Sequence, residues 1–237
     1  MKEMVGKVFS IANDNKATYG CTVSKEVSGG ENYIAYFSMA EDTDISAEIF
    51  SYYKLIILVE GELEVYGYGE NVKKLREGDA IITPTDVTVG MKTGVGAVFT
   101  EIAIRREDVM NKAVKAGEVF KLAELLQFQD GKIVNMDVVH NDKMKFVLMA
   151  FDEGTGLSEH AAPGEAIIFA LDGEGVIVYE GVSHTIKAGE NRARRAERRR
   201  ALRPGGRSSM EAHMETGLSH RKVRVGIVVS NKMDKTV

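Results

Sequence analysis

Cysteine occurs once in these 237 residues, at Cys21, so no disulfide can form within the chain. A lone cysteine far from any histidine reads as a small apolar filler rather than a nucleophile. No apolar run approaches the ~20 residues that a helix needs to cross a bilayer, and the opening Met1-Lys-Glu-Met-Val-Gly-Lys lacks the apolar segment of a signal peptide. The expectation is a protein of the reducing cytoplasm with no membrane partner. Histidine is absent from residues 1–139. That excludes an imidazole-based metal or acid–base site from more than half of the chain. A phosphate-binding Gly-rich loop opening a helix is missing too, and helical periodicity is scarce. Only two stretches, Arg106 to Lys115 and Phe120 to Leu126, read as helices.

What the chain has is apolar content, 44%, enough to build real cores over one large or two modest domains. Two stretches share one pattern: Lys54-Leu-Ile-Ile-Leu-Val-Glu-Gly-Glu-Leu-Glu-Val-Tyr66, and Ala166-Ile-Ile-Phe-Ala-Leu-Asp-Gly-Glu-Gly-Val-Ile-Val-Tyr179. Each reads as a strand, a tight turn at Glu-Gly or Asp-Gly, and a returning strand. Other segments recur in the same order. Gly6-Lys-Val-Phe-Ser-Ile-Ala12 returns as Gly117-Glu-Val-Phe-Lys-Leu-Ala123, Phe37-Ser-Met-Ala40 as Val147-Leu-Met-Ala150, and Leu75-Arg-Glu-Gly-Asp79 as Ile186-Lys-Ala-Gly-Glu190. Such a series at nearly one spacing implies two tandem copies of a unit of ~110 residues, a usual domain size. Many short strands between turn signals point to an all-β sandwich or jelly roll.

Charge divides the chain differently. Residues 1–190 carry eighteen Lys and Arg against thirty-one Asp and Glu, a balance of −13; residues 191–237 carry thirteen against four, a balance of +9. Eight arginines lie in Asn191 to Ser209, a stretch read as unable to enter a barrel interior. In the first copy Glu60, Glu62 and Glu64 alternate as a solvated sheet face does. Glu48, Tyr52 and Lys54 share one face by period two, which suits a small polar pocket for an anionic or hydroxylated ligand.

The turn-glycine spacing around Leu55 to Val65, with Leu75-Arg-Glu-Gly-Asp-Ala-Ile-Ile-Thr-Pro84 and the matching strands at 166–190, resembles the cupin superfamily, and the duplication resembles a bicupin. That resemblance implies two jelly-roll β-barrels, the second incomplete: residues 1–108 and 109–190, then an Arg-rich linker at 191–213. Metal-binding cupins set two histidines and a glutamate before the turn and a further histidine after it. In the first copy those places fall on Ala47, Ile49, Lys54 and Val89, which implies a metal-free barrel. In the second copy His160 and Glu165 have the family's spacing, and a divalent transition metal there is the alternative to having no cofactor. The last segment, residues 214–237, resembles the opening strand of bacterial small-subunit ribosomal protein seventeen. It implies RNA contacts at Arg221, Lys222, Arg224, Lys232 and Lys235, on a C-terminus joined from foreign sequence. Val223 to Ser230 is also the one tail segment able to replace the missing counterpart of Ala97 to Ile104.

The function expected is therefore small-molecule binding or sensing, as a homodimer paired through exposed edge strands. The alternatives are a metal-dependent cupin isomerase or dioxygenase, and an RNA-binding protein acting through its tail.

Overall fold

The computed structural model describes residues 6–69, 72–157, 164–179, 182–194 and 222–230. In chain order its elements are β1 (Val8–Phe9), α1 (Ile11–Asp14), β2 (Thr22–Ser28), β3 (Ile34–Met39), β4 (Thr43–Ile49), β5 (Tyr53–Tyr66), β6 (Lys73–Arg76), β7 (Asp79–Ile82), β8 (Thr88–Thr93) and β9 (Ala97–Ile104). They continue as β10 (Val109–Met110), β11 (Val119–Lys121), a 3₁₀ turn (Leu122–Leu125), β12 (Ile133–His140), β13 (Met144–Phe151), β14 (Glu165–Tyr179), β15 (Val182–Lys187), β16 (Asn191–Arg194) and β17 (Val223–Ser230). The architecture is all-β, as the strand-and-turn pattern requires. No helix among the described residues is long and apolar enough to cross a membrane.

Two compact units form. Unit 1 gathers Phe9–Leu125 and Asp137–Asn141, so residues 109–125 lie with the strands that precede them. Unit 2 gathers Leu126–Met136 and the chain from Asp142 onward, together with residues 6–8, whose Gly6 N–H donates to the Ala193 carbonyl at 3.1 Å.

In unit 1 one sheet runs β11-β7-β5-β9-β3-β2, while β4, β6 and β8 build a second layer against the far half of β5. The expected hairpin is not there. β5 is a single strand of 14 residues running through Gly61, its first half hydrogen-bonded to β7 and β9 and its second half to β6 and β8. At the corner the register with β9 slips between Leu58 and Glu60, and Gly61 takes a φ of 85°. A bulge followed by a left-handed glycine lets one strand leave one sheet for another. The core lies in the fold this corner makes: Met39, Ile56, Leu58 and Phe99 from one layer against Leu63, Val65, Val89 and Met91 from the other. Each such side chain contributes about 1.5–3 kcal/mol on leaving water.

Unit 2 repeats the plan. β14, 15 residues long, pairs through its first half with β16 and β17 and through its second with β15. The slip falls between Ala170 and Asp172, and Gly173 has a φ of 77°. β17 lies between β13 and β14 as β9 lies between β3 and β5, so the tail segment does supply the inner strand. Gly173 faces Val223 where Gly61 faces Ala97. On that alignment Met149, not Val147, is the counterpart of Phe37. The positions matching β4 and β8 fall in residues 158–163 and 195–221, outside the described residues.

Three local expectations are corrected. Arg106 to Lys115 is turn and the short strand β10, because Asp108 accepts the Arg105 N–H and closes a turn there, and Phe120 to Leu126 holds the end of β11 and the 3₁₀ turn. The arginine stretch does enter a sheet at its start, since Asn191-Arg-Ala-Arg194 is β16, with Arg192 only 2% exposed. Cys21 is exposed, not a core filler.

Candidate functional site

Strand alternation fixes which side chains of unit 1 face inward. Ile56 and Leu58 on β5 and Phe99 on β9 belong to the core, so Lys54, two positions before Ile56, and Glu101, two positions after Phe99, point to the same side. They are where the apolar lining ends. Lys54 Nζ lies 3.4 Å from Glu101 Oε1, and the two side chains are 9% and 2% exposed. The strand register holds them, with Glu101 opposite Ile56 and Lys54 opposite Ala103. Thr83, following β7, clamps the backbone at this level: its hydroxyl accepts the Lys54 N–H at 3.0 Å and its own N–H donates to the Lys54 carbonyl at 2.9 Å.

Aromatic groups enclose the pair. The Phe50 ring presents its face to the ammonium, 3.5 Å from Nζ to the ring centre, which suits a cation with few remaining water contacts. The Tyr33 hydroxyl, just before β3, donates to Glu101 Oε1, and it lies 3.2 Å from the Tyr52 hydroxyl. The rings of Tyr33 and Tyr52 meet edge to face, as do those of Phe50 and Tyr52. Burial pushes the Tyr33 phenol above its ordinary range, and the neighbouring Glu101 carboxylate pushes it further. Tyr33 is therefore a neutral donor at any physiological pH. Tyr52, like Tyr33, is half-buried.

Of the residues expected in this pocket, Lys54 and Tyr52 come together, while Glu48 is exposed on β4, opposite Val89. Glu101 and Tyr33 were not singled out from the sequence. A signal for Glu101 existed: it is the one charge in β9, Ala97-Val-Phe-Thr-Glu-Ile-Ala-Ile104, whose every residue is buried. A lone buried carboxylate demands a partner.

The site belongs to one unit only. Pairing of Gly173 with Val223 carries Lys54 onto Ala166 and Glu101 onto Ile227, both buried and apolar. In unit 2, His160 lies outside the described residues, and Glu165 begins β14, half-buried, opposite Ser230. Among the described residues no three His, Cys, Asp or Glu side chains come together to hold a metal ion. At the first-copy position a divalent cation does not fit, because an ammonium holds the site's carboxylate and no imidazole is available in residues 1–139.

Two of the residues assigned to RNA contact are engaged inside unit 2. Lys222 Nζ is 3.0 Å from Asp152 Oδ1 and lies 5.5 Å from the Phe128 ring centre. Arg224 pairs with Asp172 at 2.7 Å, stacks over Phe128 at 4.0 Å and donates to the Leu126 carbonyl. These contacts help to pin β17 in its sheet. Arg221, Lys232 and Lys235 lie outside the described residues.

A concavity of about 450 Å³ opens in unit 1 beside the Gly61 corner, lined by Lys16, Tyr19, Glu41, Glu60 and Val95 among others.

No family model matches the chain, and no curated protein does either. Solved structures do. A cupin 2 conserved barrel domain protein from Leptotrichia buccalis superposes with a TM-score of 0.78 at 23% identity, covering 97% of this chain and 98% of that one. Salicylate 1,2-dioxygenase from Pseudoaminobacter salicylatoxidans gives 0.58 at 8% identity over 87% of this chain and 73% of that one. A variant of oxalate decarboxylase from Bacillus subtilis gives 0.50 at 11% identity over 98% and 78%. The fold is the cupin jelly-roll barrel.

Proposed function

We propose that this chain is a small-molecule binding or sensing protein whose site is the polar end of the unit 1 barrel. The observation that carries the reading is the buried Lys54–Glu101 pair, linked through Tyr33 to the half-buried Tyr52. A charge pair inside an apolar barrel is costly for stability and dispensable to the fold, since unit 2 builds the same strands with Ala166 and Ile227. Its retention in the one unit is explained by ligand recognition. Lys54 offers the cationic contact and Tyr52 a hydroxyl, which suits a small carboxylate or a hydroxylated compound. Titration of the full chain with acetate, lactate and oxalate, followed by NMR, tests this. Shifts confined to residues around Lys54, Tyr52 and Glu101 are expected, and their absence for every such ligand sinks the reading.

A second reading, a metal-dependent isomerase or dioxygenase at His160 and Glu165, draws on the dioxygenase among the structures that share the fold. Metal analysis of gently purified protein decides it, because that reading requires about one equivalent of transition metal per chain.

A further inference from the structure

Lys54, Glu101 and Tyr33 stand as an amine, a base within reach of it and a group that orients the base. A lysine is a nucleophile only after it sheds a proton, and Glu101 Oε1, 3.4 Å from Nζ, is placed to take it. The Tyr33 hydroxyl donates into that same oxygen and fixes the carboxylate's orientation. The Tyr52 hydroxyl, 3.2 Å from that of Tyr33, donates to it, since the Tyr33 proton is committed to Glu101, and so holds Tyr33 in its turn. The Phe50 face covers another side of the amine and keeps water from it. Binding alone needs the cation; it does not need a base at its side with a third group holding that base in place.

We infer that Lys54 forms a reversible imine with a small carbonyl compound, an aldehyde or a 2-oxo acid. This rests on the ligand site proposed above and narrows its ligand to a carbonyl-bearing class. Glu101 takes one proton from the ammonium. The Nζ lone pair then forms the bond to the carbonyl carbon, and the C=O π pair moves to oxygen to give a carbinolamine. The C–O bond breaks, and the oxygen departs as water with two protons that came from the nitrogen, the first of them by way of Glu101. Ammonium and carbonyl have become protonated imine and water. Nothing is oxidised or reduced.

The full chain is incubated with pyruvate or glyoxylate and then with sodium borohydride, which reduces an imine to a stable secondary amine, and its peptides are mapped by mass. Lys54 is expected to be labelled about ten-fold faster than an exposed lysine such as Lys16, whose amine lacks this arrangement. Glu101→Gln keeps the side chain's shape and should slow trapping at Lys54 by roughly 10²-fold with the circular dichroism spectrum unchanged. Tyr33→Phe should slow it less, and the conservative Glu101→Asp should restore part of the rate lost in the glutamine variant. Labelling of exposed lysines with Lys54 untouched overturns the inference, as does Glu101→Gln trapping as fast as the wild type. Lactate, which has the carboxylate and no carbonyl, separates the two levels. If lactate binds at Lys54 and pyruvate is never trapped, the imine is wrong and the binding site stands. If neither lactate nor oxalate binds and nothing is trapped, both fail.

Discussion

Arg192 occupies in unit 2 the place that Ile81 holds in unit 1. Ile81 lies opposite Ile56 on the core face of its sheet, and Arg192 lies opposite Ile168. The guanidinium is buried, and it donates to the Gly6 carbonyl at 2.9 Å and the Ile177 carbonyl at 3.3 Å. A buried cation is tolerated when its donors are engaged. The same charge lowers the affinity of His184 for a proton, although burial of the imidazole does more.

Replacing that side chain separates volume from charge. Arg192→Ala removes the packing and leaves two carbonyls without donors, and should cost about 3 kcal/mol. Arg192→Met keeps most of the length without burying a charge, and should cost about 1 kcal/mol. Urea unfolding of both variants checks the order. Equal losses would mean that the hydrogen bonds, not the filled space, hold this part of unit 2.

The ion pair of unit 1 invites a double-mutant cycle, because unit 2 shows what the barrel looks like without it. Lys54→Met alone leaves Glu101 buried with no cation, and Glu101→Leu alone leaves a buried ammonium; each should cost about 3 kcal/mol. The double variant, which imitates Ala166 and Ile227, should recover most of that loss. Stability measured by chemical denaturation across the four proteins gives the coupling. A double variant as unstable as the sum of the singles would mean no coupling, so that each side chain serves the fold on its own, and would remove the argument for ligand recognition.

Each corner glycine is pressed against the strand that follows it in the sheet. A Cβ on Gly61 would run into the carbonyl of Gly96, and one on Gly173 into the carbonyl of Lys222. Both residues also have left-handed backbones that L side chains seldom adopt. Gly173→Ala should therefore destabilise unit 2 by about 3 kcal/mol and loosen the start of β17. Hydrogen exchange provides the readout. In the wild type the amides of Val223–Ser230 are expected to exchange as slowly as those of β13 and β14, since β17 bonds to both. In the variant those amides should lose protection first.

The sequence carried the plan of this fold further than its details. The repeated apolar runs located both long strands, and the tail segment at Val223 was recognisable as an inner strand because nothing else there could pair. The glycine signal was misread in kind: Glu-Gly between apolar runs fits a hairpin, but a bulge one residue earlier turns the same residues into a corner between sheets. Arg192 was hidden by its composition, because a run of arginines gives no sign that one of them will be neutralised by carbonyls 15 and 186 residues away. In the candidate site, strand parity grouped Tyr52 with Lys54. Glu101 comes from β9 and Tyr33 from the residue before β3, and their meeting depends on a register that no local pattern encodes. Glu48 shares that parity, and β4 nonetheless leaves it exposed because parity holds only within one uninterrupted strand, and the chain turns between Ile49 and Tyr53.

Acid should weaken unit 1 through Asp108. Its carboxylate accepts the Arg105 N–H at 2.8 Å, the Arg105 Nε at 2.9 Å and the Asn32 amide at 2.8 Å, in a position with no exposure of the side chain. Burial acts to raise its proton affinity, but these hydrogen bonds outweigh it and hold the carboxyl below the ordinary aspartate range. A group whose folded pKa is depressed adds stability above its unfolded pKa, near 4, and that stability is lost as the pH falls through the folded value. Asp108→Asn should lower stability by about 2 kcal/mol at neutral pH, where the carboxylate is replaced by an amide that must turn a donor toward Arg105. The difference between wild type and variant should shrink as the pH is taken from 7 to below about 4, because the wild type then protonates the same group. Urea unfolding at a series of pH values measures it. A difference that stays constant across that range would mean that Asp108 acts through shape alone.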